Sequence, residues 1–294
     1  MQNLRTKGIV LVILGAMFWG ASGTAIQFLF QYKHLTAEFI YVIRNALAGF
    51  LFLFYVMVRK GKLFAIWHEL RDVKSLLIFC LFGLFPTQFC FIKAIEASNA
   101  ATATVIQYLM PVIVLGYVLW RDKKLPDKVD FVAVALAVLG TYLIVTKGDG
   151  NNLTISPAAL FWGLASAVGM AIYTVSPGRI IKKYSSPVVV GWGMLINGFV
   201  ANFVMWPWPF CGIMDTGTVG GIAVFLFFGT IVAFYCYLES TKYIPSQEVS
   251  ALSCVEPLTS VVLAVTLLHV KLGIIEIVGM LCIICTVIIL AKKK

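Results

Sequence analysis

The chain has 294 residues, of which 61% are hydrophobic and only 12% are charged, and its mean hydropathy is +0.95. A soluble domain carries about 25% charged residues, so a soluble body of this composition would expose large apolar patches. The net charge of +10 does not indicate nucleic acid, because the basic residues stand in short clusters between apolar runs, where the topology determinants of membrane proteins lie. The composition predicts an integral membrane protein with lipid, and no nucleic acid, as its surroundings.

The apolar runs are continuous and reach about twenty residues, the length that a helix needs to cross about 30 Å of hydrocarbon. The strict alternation of apolar and polar residues that is typical of membrane β-barrel strands is missing. We therefore predict an all-α integral membrane protein with ten transmembrane helices. In chain order the predicted spans are 8–30, 37–58, 75–95, 98–119, 129–146, 156–178, 187–208, 218–239, 246–269 and 272–291.

The distribution of lysine and arginine predicts the orientation, because these residues accumulate on the cytoplasmic side. With the N-terminus inside, most of the 23 basic residues fall on the inner face. The outer face holds Lys33, Lys93, Lys147 and Lys271. We expect a multi-pass protein of the cytoplasmic (inner) membrane with both termini in the cytoplasm.

The two halves of the chain resemble each other at a fixed spacing. A shift of 146 residues places Phe82–Gly83 on Phe228–Gly229, Cys90 on Cys236 and Pro111 on Pro257. The first span of each half shares an element, Phe18–Trp19–Gly20 and Phe161–Trp162–Gly163. The third span ends on Lys93 and Glu96, whereas the eighth ends on Glu239 and Lys242, with the charges exchanged.

Each half has an odd number of spans, so the second half must enter the membrane from the opposite side. This predicts two inverted five-helix repeats, 9–146 and 156–291, joined by a polar loop at 147–152. Inverted repeats are a recurring plan of secondary transporters, with the substrate site near the midplane where the halves meet.

These elements, together with the Glu256–Pro257 pair in the ninth span, resemble the EamA family of the drug/metabolite transporter (DMT) superfamily over essentially the whole chain. The resemblance implies two EamA repeats around a central cavity lined by spans 1–4 and 6–9, with spans 5 and 10 peripheral. It also implies export of amino acids or other small metabolites. The chain departs from the family pattern at the cytoplasmic end of span 4, where Trp120–Arg121 replaces an expected acidic residue.

Arg44 is the first candidate for substrate binding, because it lies about 10 Å into the second span and carries a full charge. Such a charge costs about 2.5–3.5 kcal/mol in a helix centre unless it meets water, a partner or a substrate anion. The alternative is that its side chain extends to the outer interface. Asn45 beside it adds a second polar group and favours the cavity.

Glu256 is the second candidate, near the middle of the ninth span and directly before a proline. Pro257 frees the carbonyl of Ser253, and Pro111 frees that of Gln107, so both prolines should bend their helices and expose acceptors. We hypothesise that Glu256 pairs with Arg44 or binds a substrate ammonium group, and that it takes up a proton during transport. The alternative is a helix–helix hydrogen bond that only fixes packing.

Further polar and aromatic residues lie well inside the predicted spans, and together they would suit an amphipathic solute. Each alone is more often a packing or interhelical hydrogen-bonding residue than a ligand contact. The full candidate set is Trp19, Ser22, Arg44, Asn45, Gln88, Gln107, Tyr108, Tyr173, Trp192, Asn197, Tyr235, Ser253 and Glu256, with Pro111 and Pro257 as helix-bending residues.

No nucleotide-binding loop or catalytic motif is visible, and Cys282 and Cys285 lack other ligand types nearby, so we expect no enzyme activity, no metal and no cofactor. The leading hypothesis is a secondary or facilitative transporter that exports small metabolites, above all amino acids, by alternating access. The alternatives are efflux of cationic or lipophilic compounds, a channel, an intramembrane enzyme and a non-transporting membrane protein. Proton coupling and a homodimer through spans 5 and 10 are further expectations.

Overall fold

The structure, a computed structural model, describes residues 2–147, 155–205, 212–240, 243–244, 249 and 252–292. Every regular element within these residues is helical. The ten long helices are α1 Gln2–Lys33, α2 Ala37–Val58, α3 Leu70–Ala97, α4 Ala100–Asp122, α5 Lys128–Thr146, α6 Pro157–Val175, α7 Ser186–Val204, α8 Thr216–Tyr237, α9 Val255–Leu268 and α10 Ile274–Lys292. Short helices at Ala65–Trp67 and Gly178–Tyr184 follow α2 and α6.

Eight of these helices are long and apolar enough to cross a bilayer, and the described apolar stretches of α9 and α10 are shorter. The prediction of an all-helical membrane protein with about ten spanning helices is confirmed. The predicted linker at 148–152 lies outside the described residues, as does Lys242. Lys93 forms ion pairs with Glu96 at 2.5 Å and with Glu38 at 3.5 Å.

Several helices begin after a residue whose side-chain oxygen accepts a hydrogen bond from a free backbone N–H of the first turn. This replaces an intrahelical bond that the first turn cannot make. These N-terminal caps are Thr36 for α2, Asn99 for α4, Asp127 for α5, Ser156 for α6 and Asp215 for α8. The polar breaks between the apolar runs thus set where the helices start.

The helices of the two halves contact one another in matched pairs. Helix α1 packs against α8 and α9, and its counterpart α6 packs against α3 and α4. Helix α2 packs against its own counterpart α7, and α5 against α10. Exchanging the halves therefore reproduces the same set of contacts, which is the pattern expected of two related five-helix units.

The glycine of the shared Phe-Trp-Gly element allows two of these contacts. A Cβ atom on Gly20 would lie 2.6 Å from the carbonyl oxygen of Glu256, so α1 touches the backbone of α9. A Cβ atom on Gly163 would lie 2.7 Å from the Ile106 side chain, so α6 closes against α4 in the same way. Small residues permit such close approach between membrane helices.

Helices α5 and α10 also meet through glycine. A Cβ atom on Gly140 would lie 2.6 Å from the carbonyl oxygen of Gly279, and the reciprocal distance is 2.7 Å. Thr286 of α10 donates a hydrogen bond to the Ala133 carbonyl at 3.1 Å. The small-residue faces of α5 and α10 thus pack against each other within one chain.

The helices that carry Pro111 and Pro257 are interrupted just before these prolines. Helix α4 leaves helical geometry at Tyr108 and Leu109 and resumes at Met110, just before Pro111. A turn at Ser253 and Cys254 likewise precedes α9, just before Pro257. Because proline lacks an N–H, each break leaves a backbone carbonyl without its usual partner.

Candidate functional site

A cavity of about 370 Å³ lies between the two halves. Nine of the ten helices contribute to its lining, and Val287 of α10 is among the lining residues, so α10 is less peripheral than the family resemblance implies. The lining also includes Pro177 and Ile181, which extends the cavity to the connector between α6 and α7. Of the thirteen predicted binding residues, nine line it together with Pro111: Trp19, Ser22, Arg44, Gln88, Gln107, Tyr108, Tyr173, Ser253 and Glu256.

Arg44 lines this cavity from α2 and is only 8% exposed. Its Nε atom is buried with no hydrogen-bond partner. No carboxylate of the described residues forms an ion pair with it. A buried guanidinium without an anion is costly unless an anion arrives from elsewhere. The side chain therefore offers a carboxylate-binding group inside the protein and does not extend to the interface.

Glu256 lies in the first turn of α9, where it contacts α4 through Tyr108. The Tyr108 hydroxyl is 2.8 Å from Glu256 Oε2 and 3.0 Å from the carbonyl oxygen of Ser253. Pro257 cannot donate to that carbonyl, which accepts the backbone N–H of Glu256 at 2.9 Å and still has room for the Tyr108 hydroxyl. The break before α9 is thus used to anchor a side chain of α4.

The hypothesis that Glu256 pairs directly with Arg44 is wrong for this conformation. Both residues line the same cavity, yet Glu256 is bonded to Tyr108 and no Arg44–Glu256 ion pair forms among the described contacts.

Four predicted residues lie outside the cavity lining. Asn45 donates to the Tyr41 carbonyl of its own helix at 2.9 Å, and Asn197 donates to the Cys80 carbonyl of α3 at 3.1 Å. Trp192 donates to the Leu63 carbonyl at 2.9 Å, beyond the end of α2. Tyr235 is 59% exposed on the outer surface of α8. The first three have structural contacts, because their polar groups satisfy backbone carbonyls.

Some lining residues were missed by the sequence reasoning, and the repeat spacing contains the signal for them. The shift of 146 residues carries Gln88 onto Phe234, Phe91 onto Tyr237 and Gln107 onto Ser253, and all six residues line the cavity. Applying the repeat to Gln88 would have selected Phe234. Applying it to Phe91, one helical turn further along α3, would have selected Tyr237 in place of Tyr235. Trp19 packs against both Phe234 and Tyr237, with ring centroids 5.3 and 5.1 Å away.

The cavity is chemically asymmetric between the halves. The same shift places Glu256 on Met110, and both side chains line the cavity. Among the lining residues, the single cation, Arg44, comes from the first half and the single carboxyl, Glu256, from the second.

The fold and the cavity define a multi-spanning membrane protein with a central, mostly apolar chamber that carries a few convergent polar groups. The sequence profile of the EamA-like transporter family matches the chain twice, over residues 6–146 and 157–292. The chain belongs to this family, and it is a membrane transporter.

Similar proteins carry transporter names. The chain is 35% identical to the uncharacterized inner membrane transporter YicL of Salmonella typhimurium over 291 residues, which cover 97% of this chain and 95% of that protein. It is 24% identical to the uncharacterized transporter YwfM of Bacillus subtilis, over 87% of this chain and 84% of that protein. It is also similar to a WAT1-related chloroplastic protein of Arabidopsis thaliana, with 24% identity over 89% of this chain and 64% of that protein.

One solved crystal structure superposes on the chain with a TM-score of 0.64 at 12% sequence identity, covering 97% of this chain and 96% of the other. At this identity the likeness concerns the fold alone. The arrangement of ten helices is therefore one that a solved protein also adopts.

Proposed function

We propose that the protein exports small zwitterionic metabolites, with amino acids as the first class, across the cytoplasmic membrane by alternating access. The observation that carries the proposal is the buried Arg44 side chain, whose Nε atom has no hydrogen-bond partner and which forms no ion pair with a described carboxylate, in the same cavity as the Glu256 carboxyl. A zwitterion presents a carboxylate and an ammonium group to these two side chains.

The guanidinium group of Arg44 is suited to bind the free carboxylate of a substrate. An arginine fork forms two parallel N–H···O bonds with a carboxylate, and these are stronger than neutral hydrogen bonds. Glu256 would receive the ammonium group at the other side of the chamber. The volume of about 370 Å³ stands at the small end of ligand pockets, which span roughly 300–1,000 Å³, and so favours a single small metabolite.

The end of the cavity to which the lining residues extend supports outward transport. The cavity lining continues to Pro177 and Ile181, next to the basic connector that carries Arg179, Lys182 and Lys183. Basic connectors accumulate on the cytoplasmic side. A solute would thus load from the cytoplasm, with both chain termini on the same side.

Efflux of cationic, lipophilic compounds is the second candidate. The rings of Trp19, Phe91, Tyr173 and Tyr237 line the cavity, and together with Glu256 they could hold an organic cation. This candidate leaves the Arg44 guanidinium unused, and we therefore rank it second.

The test is counterflow with purified protein in liposomes, using labelled amino acids, their decarboxylated amines and lipophilic cations. The proposal expects exchange of amino acids and not of the amines. Arg44→Gln should weaken that exchange by about tenfold to a hundredfold, the effect of losing a charged hydrogen bond. Arg59→Gln, at the exposed end of the same helix, is the matched control and should exchange normally.

Exchange of amines or lipophilic cations that survives Arg44→Gln would move the assignment to the second candidate. Absence of exchange for every amino acid would overturn the proposal.

A further inference from the structure

The cavity reaches one end of the helix bundle and stops short of the other. At the end where α6 finishes, the lining continues to Pro177 and Ile181. At the opposite end, which we call the outer end because it is predicted to face outward, the lining of α1 stops at Ser22. Further along, Gln27 near the end of α1 and Ala100 at the start of α4 are 1% and 0% exposed. The cavity is therefore closed at its outer end.

A buried hydrogen bond joins α1 to α4 at this outer end. The backbone N–H of Ala100 donates to Gln27 Oε1 at 2.8 Å. Ala100 is the first residue of α4, so its N–H has no acceptor within the helix. The side chain of the capping residue Asn99 already accepts the Thr102 N–H at 2.8 Å. Gln27 thus supplies an acceptor that α4 itself lacks.

Apolar and small side chains fill the space around this bond. One buried apolar cluster at the outer end takes residues from α1, α2, α3, α4, α7 and α8. A Cβ atom on Gly23 would lie 3.6 Å from the Ala100 Cβ atom, which is ordinary contact. The Oγ atoms of Thr104 and Ser260 are 3.4 Å apart, so α9 also touches the first turns of α4. Helices α1 and α9 together close the cavity against α4.

The equivalent position in the second half lies open. Gln27 stands eight residues after Trp19 of the shared Phe-Trp-Gly element, and Met170 stands eight residues after Trp162. Met170 lines the cavity, whereas Gln27 is buried between helices. Two related halves thus differ in whether this turn of their first helix is covered, which is the asymmetry expected of one state of an alternating-access cycle.

We propose that Gln27 is a gating residue, which holds α1 against α4 while the cavity is open toward the cytoplasm and lets go when the solute leaves to the outside. This assignment rests on the proposed function, since it concerns the release step of outward transport. Closure makes one buried hydrogen bond but leaves Gln27 Nε2 buried without a partner. Opening breaks the bond and gives water to the whole amide and to the Ala100 N–H. The two states therefore stay close in free energy.

The first experiment fixes the gate with a disulfide, in a background without native cysteines. The Cβ separation of 3.6 Å between positions 23 and 100 lies in the range of about 3.5–4.5 Å found in disulfides. The oxidised Gly23→Cys, Ala100→Cys protein should lose counterflow, and reduction should restore it, with each single variant as a control. A disulfide that does not form, or one that forms and leaves counterflow at the reduced rate, would overturn the gate.

The second experiment needs no substrate. In the same background, Met170→Cys places a thiol in the cavity, and a membrane-impermeant thiol reagent outside right-side-out vesicles should reach it only through the open gate. Ala100→Pro removes the N–H that Gln27 accepts, and the extended backbone of Asn99, with φ −161° and ψ 166°, suits a following proline. Loss of this buried bond should raise the rate of modification by about fivefold to a hundredfold.

Ala37→Pro is the matched control. Ala37 is also a fully buried first residue of a helix and follows an extended capping residue, Thr36, but its N–H donates to no group among the described contacts. The rate should be unchanged there, and Ala100→Pro should lose its effect in a Gln27→Ala background, where the acceptor is absent.

A rate that Ala100→Pro leaves unchanged, or an increase that persists with Gln27→Ala, would overturn the role of Gln27 whatever the substrate proves to be. The expected rates together with no exchange of any amino acid would instead support the gate and overturn the proposed substrate class.

Discussion

Lys33 and Asp215 join the end of α1 to the start of α8 through a hydrogen bond of 2.6 Å. The counterpart in the other half joins the connector after α6 to the start of α3, where Asp72 accepts hydrogen bonds from Arg179, Lys183 and Tyr184. In both places a cation that follows the first helix of one half meets an aspartate that begins the third helix of the other. Since the second half is predicted to be inverted, these two ion pairs are expected on opposite faces of the membrane.

The Lys33–Asp215 pair should persist over the whole ordinary pH range. The hydrogen bond from Lys33 and the backbone N–H of Thr218 lower the pKa of Asp215 from 3.8 to about 2. A lowered carboxyl pKa means that the stabilisation is present above the unfolded value and is lost only as the pH falls through the folded one. We expect any pH dependence of transport between pH 5 and 9 to be unchanged by Asp215→Asn, which keeps the helix cap.

We predict that the Lys33–Asp215 contact opens during each transport cycle, because it ties the first helix of one half to the third helix of the other. In a background without native cysteines, an oxidised Lys33→Cys, Asp215→Cys pair should stop counterflow, and reduction should restore it. Each single cysteine variant serves as the control. Cross-linked protein that transports at the uncross-linked rate would contradict the prediction.

Gly20 should tolerate no side chain. A Cβ atom there would lie 2.6 Å from the Glu256 carbonyl and 2.9 Å from the Ser260 amide nitrogen, both of them backbone atoms that cannot turn aside. Gly20→Ala should therefore destabilise the protein by about 1–3 kcal/mol, the usual cost of overpacking. Thermal unfolding in detergent measures this.

Gly116 provides the matched helical control, since a Cβ atom there meets nothing within 4 Å. Gly116→Ala should leave the melting temperature equal or higher, because alanine is the better helix former by about 1 kcal/mol. Equal effects of the two substitutions would mean that α1 and α9 do not pack as described.

Tyr237 and Tyr235 lie two residues apart on α8 and should behave differently. Tyr237 lines the cavity and packs against Trp19, whereas Tyr235 is 59% exposed on the opposite surface. Tyr237→Ala should raise the KM for the exchanged solute at least about tenfold, since loss of a buried aromatic contact costs several kcal/mol. Tyr235→Ala should leave transport unchanged, and a KM effect of Tyr235→Ala alone would reverse the assignment of these faces.

Asn197 should act on stability and not on substrate binding. Its amide donates to the Cys80 carbonyl inside a stretch of α3 that has wide π-helical turns, and it is buried. Asn197→Leu removes one of the two hydrogen bonds of that carbonyl, which also accepts the Phe85 N–H, and should cost about 1 kcal/mol of unfolding free energy. The KM of the purified variant, measured below its melting temperature, should equal that of the wild type.

The apolar runs and their polar breaks predicted the helices closely, because membrane crossing imposes both the length and the position of each run. The span 37–58 agrees with α2 at both ends, and most other described ends differ by one to six residues. The exception is α9, which begins at Val255, nine residues later than predicted, because a turn at Ser253 and Cys254 precedes it. The sequence pointed to Arg44 and Glu256 because charge is rare inside the membrane, and both residues line the cavity.

The same reasoning could not separate Tyr235 from Tyr237, or Asn197 from Gln107. A polar side chain within a span needs a hydrogen-bond partner. Its position in the sequence does not show whether that partner is a ligand or a backbone carbonyl. Asn197 and Gln107 donate to backbone carbonyls in the π-helical turns of α3, at Cys80 and Thr87. No pattern in the sequence predicted these turns.

The placement of the one lining cation, Arg44, in the first half and of the one lining carboxyl, Glu256, in the second has a stereochemical consequence. Two identical five-helix subunits would build a chamber with a twofold axis, and a solute could bind there in two equivalent poses. The fused chain offers one charged group of each sign, and hence a single pose for a molecule with unlike ends. A fixed pose lets the third substituent of a chiral carbon meet one wall only, so the chamber can distinguish mirror-image solutes without any further residue.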